Sequence, residues 1–126
     1  MSAIVYIKAF NDLLDQFFDY LSGTFPDHKS DIMLTRTCTD FIRNANPRTA
    51  VEQFIQFIEP YQSQIENCNE SFFLEFEKNM PLNQNEILFG LKLKTIWLSE
   101  DMDDYKKARV WLFFQKLLSA ARKVTG

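Results

Sequence analysis

Apolar residues near the start of the chain recur at the pitch of an α-helix. Ala3, Ile7, Phe10, Leu14, Phe17, Phe18 and Leu21 fall at offsets 0, 4, 7, 11, 14, 15 and 18, one stripe of a 3.6-residue repeat. Asn11, Asp15 and Asp19 lie away from it. Gly23, with Pro26 just beyond, predicts the end of this first helix. A second helix is predicted from about Asp27 to Ala45, with Leu34, Cys38, Phe41, Ile42 and Ala45 as its core stripe. Thr35, Thr37 and Thr39 lower its helix propensity slightly, because branching at Cβ restricts χ1.

Asn46-Pro47 marks the next boundary: an asparagine caps a helix and a proline suits its first position. The third predicted helix carries Val51, Phe54, Ile55, Ile58 and Ile65, with a kink or break near Glu59 because Pro60 removes a donor and crowds the preceding turn. Residues 67–82 read as loop, but Phe72, Phe73, Leu74 and Phe76 form an apolar cluster within it, a helical turn expected to fold back over the core. Asn83 with Glu86 has capping-box spacing. It opens a fourth helix through Ile87, Leu88 and Leu91 to Leu98, with Phe89, Leu93, Ile96 and Trp97 widening the apolar face. The segment from Ser99 to Asp104 breaks it, and its acids suit the start of a fifth helix ending near Lys123. The fifth stripe is Val110, Phe113, Phe114, Leu117, Leu118, Ala121 and Val124. The fold class is therefore all-α: one domain over residues 1–126, a bundle of about five helices, six if Pro60 divides the third.

Composition agrees. Only 3 glycines and 4 prolines occur in 126 residues, too few for a turn-rich β fold. The net charge of −3 and the lack of a basic run argue against duplex nucleic acid as the main partner. Cys38 and Cys68 form no CxxC pair; in a core-sized chain they are expected free and buried, which implies a reducing, intracellular setting. The N-terminal run is interrupted by Lys8, Asn11 and Asp12, unlike a signal peptide, and no stretch is long enough to span a membrane.

Two clusters carry a resemblance. The first is Asn46-Pro47-Arg48, Phe54, Pro60-Tyr61, Ile65 and Phe72-Phe73-Leu74. The second is Ile96-Trp97-Leu98-Ser99-Glu100 followed by Val110-Trp111-Leu112-Phe113-Phe114-Gln115. Over roughly residues 40 to 120 the chain resembles a family of small helical proteins of unassigned role from giant double-stranded DNA viruses. The resemblance brings no catalytic residue. It implies a protein of the infected cell's cytoplasm, the viral factory or the virion.

Catalytic chemistry finds little support. His28 is the single histidine and reads as an exposed residue at a helix start. Glu100, Asp101, Asp103 and Asp104 lack the glycine and alternating oxygens of a calcium loop and read as a helix N-terminus. Two cysteines and one histidine cannot supply the usual four zinc ligands. No phosphate loop is present, and no enzyme, cofactor or metal is expected. The 13 phenylalanines include the adjacent pairs Phe17-Phe18, Phe72-Phe73 and Phe113-Phe114. Neighbours on a helix point about 100° apart, so each pair needs either a central position in the bundle or cover from another chain. The functional expectation is a non-enzymatic binding or structural module acting through an apolar helical surface formed by Phe89, Leu93, Trp97, Trp111 and Phe114, with a protein partner or a second copy on it. The alternative is a nucleic-acid-associated protein using Lys106, Lys107, Arg109 and Lys116, with Trp111 among them.

Overall fold

The computed structural model describes residues 3–75 and 93–125. Four long helices dominate: α1 (Ala3–Thr24), α2 (Lys29–Ala45), α3 (Pro47–Ile58) and α7 (Asp104–Thr125). Among the described residues there are also three five-residue helices: α4 (Gln62–Glu66), α5 (Ser71–Glu75) and α6 (Leu93–Trp97). No strand occurs among the described residues. The fourth predicted helix, from Asn83 to Leu98, lies outside the described residues over 83–92; within its predicted range the described residues form α6.

Most of the α1 stripe is core as predicted, with Phe10, Leu14, Phe17, Phe18 and Leu21 fully buried and Ala3 and Ile7 half-buried. The stop differs. The helix runs through Gly23 to Thr24, and the Phe25 amide still donates to Leu21 O at 2.9 Å. Pro26 ends it, since the residue before a proline is pushed out of the helical region; Phe25 sits at φ −123°, ψ 73°. A 3₁₀ turn, Pro26–His28, then leads into α2. Asn46 serves two helices at once. Its amide closes α2 on Ile42 O at 3.1 Å, and its side-chain oxygen accepts from the Arg48 amide at 3.0 Å to cap α3, with Pro47 at the first position. Pro60 divides the third helix as predicted, with a 3₁₀ turn at Glu59–Tyr61 between α3 and α4. The α4 C-terminus closes with Cys68 in the left-handed region (φ 53°) and Asn69 N donating back to Gln64 O at 2.8 Å, the hydrogen bond of a Schellman motif. Asp103 caps α7 by accepting from the Lys106 amide at 2.8 Å.

α1 and α7 lie antiparallel: Lys123 stands over the Tyr6 ring at 5.5 Å and Arg109 over the Tyr20 ring at 5.4 Å. α7 packs most extensively on α1, α3 rests against both, and α2 lies on α1 and α3. α5 and α6 cover the aromatic N-terminal half of α7. There Phe73 stacks on Trp97 at 4.2 Å and meets Trp111 at 4.7 Å. No described helix is long and apolar enough to cross a membrane.

Candidate functional site

The broad apolar face expected on the last helices is used inside the molecule. Leu93 and Phe114 are buried, and Trp97 and Trp111 keep only 4% and 6% exposure. These four are core residues rather than a docking surface; Phe89 lies outside the described residues. Phe114 explains why. Its ring sits within 5.4–6.5 Å of Phe17, Phe54, Phe72 and Phe73, so α1, α3, α5 and α7 converge on one side chain. The Phe72-Phe73 pair brings α5 across that face, and α6 brings Trp97, so the second buried side that adjacent phenylalanines require comes from within the chain.

The four basic residues of the alternative reading fall in two groups. Lys106 and Lys107 are drawn inward. Lys106 Nζ donates to Asp101 O at 2.6 Å and stands 5.9 Å from the Phe25 ring. Lys107 pairs with Glu70 at 2.7 Å and lies 5.2 Å from the Trp97 ring. The Lys107 hydrogen bond holds the Glu70 carboxyl below its ordinary value, with a smaller contribution from Trp97. Arg109 and Lys116 face solvent on a separate stripe, continued by Lys123 at the same seven-residue interval. Arg109 spans the Tyr20 and Phe113 rings at 5.4 and 5.8 Å, and burial pushes the Tyr20 phenol up against its pull.

α2 presents the largest departure from the sequence pattern. Its buried side is Ile32, Thr35 and Thr39, with Ile42 half-buried beside them. The predicted stripe is turned outward: Leu34 is 65% and Phe41 81% exposed, and Cys38 and Ala45 are exposed too. Two physical causes fix this rotation. The inward threonines need no polar partner from the core, because Thr35 Oγ1 donates to Asp31 O at 3.0 Å and Thr39 Oγ1 to Thr35 O at 2.8 Å. Their methyl groups then pack like those of valine. Arg36 and Arg43, seven residues apart on the inner flank, grip the acids of α1. Arg36 reaches Asp19 at 2.5 Å and Asp15 at 3.4 Å; Arg43 reaches Asp15 at 2.8 Å and also Asp40. Burial alone pulls the Arg43 guanidinium down, but its hydrogen bonds to Asp40 and Asp15 outweigh that and raise its pKa above the ordinary arginine value. Turning α2 by the third of a revolution needed to bury Phe41 would break these contacts with α1. The signal was present in the sequence, in acids at 15 and 19 on one helix and arginines at 36 and 43 on the next.

The remaining candidates are dispersed. His28 is half-buried at the end of the 3₁₀ turn rather than exposed as expected, and its side chain makes no capping hydrogen bond to α2. Glu100, Asp101, Asp103 and Asp104 form the lead-in to α7, with Ser99 Oγ accepting from the Asp101 amide at 3.2 Å. Among the described residues no cluster of histidine, cysteine, aspartate and glutamate suits a metal ion. Both cysteines are free, but exposed rather than buried as the sequence predicts. Cys38 rides out with the outer stripe of α2, and Cys68 is carried to the surface by the turn that ends α4, where Gln115 Nε2 approaches its sulfur at 3.5 Å.

The class these observations define is an all-helical bundle whose described tryptophans and most of whose described phenylalanines are spent on its own core, with Leu34 and Phe41 of α2 among the residues left exposed. No family model, curated protein or solved structure matches the chain.

Proposed function

We propose that this chain is a non-enzymatic binding module that engages a protein surface through the outer face of α2. The observation that carries the reading is Phe41, a whole phenylalanine ring left 81% exposed in a protein that buries most of its other rings, on a stripe shared with Leu34, Cys38 and Ala45. An apolar stripe at helical spacing that the described residues of its own domain do not cover is the form a helix-in-groove or helix-on-helix contact takes. The expected mode of action, docking through an apolar helical surface, thus moves from the last helices to the second. The intracellular setting and viral origin implied by the family resemblance belong to the same proposal.

The test is site-specific photocrosslinking. Benzoylphenylalanine replaces Phe41 in the full chain, with the same group at Lys116 as a surface control, in the cells that naturally make the protein. A discrete heavier adduct is expected from position 41 and not from 116, and Leu34→Ser is expected to reduce it several-fold. No adduct from position 41, or equal labelling from both positions, would refute the reading.

A further inference from the structure

We infer that the occupant of this face is the same face of a second copy, packed antiparallel about a two-fold axis; this rests on the binding-module reading above. The stripe residues Leu34, Cys38, Phe41 and Ala45 are separated by 4, 3 and 4 positions, an interval pattern that reads the same in both directions. At about 100° per residue they fall within an arc of about 60°, and at about 1.5 Å per residue they cover about 16 Å of helix. The sizes alternate: large, small, large, small. An antiparallel copy in this register therefore sets Leu34 against Ala45 of the second copy and Phe41 against its Cys38. Both contacts place a large side chain in the space a small one leaves, and two-fold symmetry makes each of them twice.

Charge agrees with self-pairing. In this antiparallel register each stripe residue faces a different, apolar residue of the second copy, so any charge on the arc would be buried without a partner. None lies there. Lys29, Asp31, Arg36, Asp40 and Arg43 fall outside the arc, and Arg36, Asp40 and Arg43 are engaged in ion pairs within the chain. The residues flanking the stripe on its solvent side, Met33, Thr37 and Asn44, carry no charge. The arc itself offers a partner no charged side chain. A second copy needs none.

The size of the face sets the strength. Covering a stripe of about three turns with one aromatic ring hides on the order of 800 Å² over both copies, in the range of weak, transient contacts. A reversible dimer with a dissociation constant on the order of tens of micromolar is the expected result.

The experiment is sedimentation equilibrium of the purified full chain across a micromolar to high-micromolar series, with circular dichroism to confirm that each variant is folded. The wild-type mass should rise from one chain toward two. Phe41→Ala should weaken association at least tenfold while leaving the helical spectrum intact. Cys38→Phe combined with Phe41→Ala exchanges the large and small positions and so preserves the register; it should restore association to within a few-fold of wild type. A wild-type mass of one chain throughout, a dimer indifferent to Phe41→Ala, or failure of the exchange variant to recover would each overturn the inference. If the protein stays monomeric while the photocrosslink from position 41 joins it to a different protein, the second-copy inference falls and the binding-module reading stands.

Discussion

Three threonines of α2 donate their hydroxyl protons to the carbonyl four residues earlier: Thr35 to Asp31 at 3.0 Å, Thr37 to Met33 at 2.9 Å and Thr39 to Thr35 at 2.8 Å. A threonine so satisfied is polar by name and apolar by the face it shows its neighbours, which is why counting apolar letters points to the wrong side of this helix. Gly23 shows the same gap between residue type and role. It looks like a helix terminator, yet it lies within α1, is not in the left-handed region, and a Cβ built on it would meet nothing within 4 Å. Glycine inside a helix costs about 0.5–1 kcal/mol relative to alanine, through the freedom it retains when unfolded. Gly23→Ala should therefore stabilise the fold by about that amount in urea titration, with an unchanged m-value; a loss of stability would show that this end of α1 needs the glycine after all.

Among the elements, α1 and α7 were legible because their apolar residues are numerous enough to define one stripe each, and most of each stripe went to the core, with Ala3, Ile7 and Phe113 half-buried. The breaks at Asn46-Pro47 and Pro60 were legible because proline acts locally, whatever surrounds it. The rotation of α2 was not, because it depends on Arg36 and Arg43 finding Asp15 and Asp19 on another helix. A second ion pair, Lys107 with Glu70, ties α7 to the turn before α5 and gives this contact a pH signature. Glu70 has its folded-state pKa below the ordinary 4.5. Its stabilising contribution is thus present above that ordinary value and is lost as pH falls through the lower folded value. Both side chains are partly exposed, so the contribution is at most ~1 kcal/mol. Glu70→Gln should lower stability slightly near neutral pH, and the difference from wild type should vanish in strong acid. A constant difference across the acid range would assign the effect to packing instead.

For the whole molecule the decisive feature is the convergence of rings on Phe114, which joins α1, α3, α5 and α7. Truncating a buried phenylalanine removes its transfer free energy and leaves a cavity. Phe114→Ala should cost about 3–5 kcal/mol in denaturant unfolding and loosen α5 and α6 together, read as faster amide exchange at Phe72, Phe73 and Trp97. A cost of under about 1 kcal/mol would mean that these rings do not form a single cooperative core. The same convergence explains why the candidate surface was misplaced. Width of an apolar face tells how much of a helix must be covered, and periodicity tells where, but neither names the cover. By itself the sequence determined the helical class, most of the boundaries and the aromatic core of α1 and α7, because hydrophobic spacing, caps and prolines act within a turn or two of chain. Only the tertiary structure decided that Leu93, Trp97, Trp111 and Phe114 face inward and that Leu34 and Phe41 face water, because burial is settled between elements, by rings and ion pairs that meet across long separations in the chain.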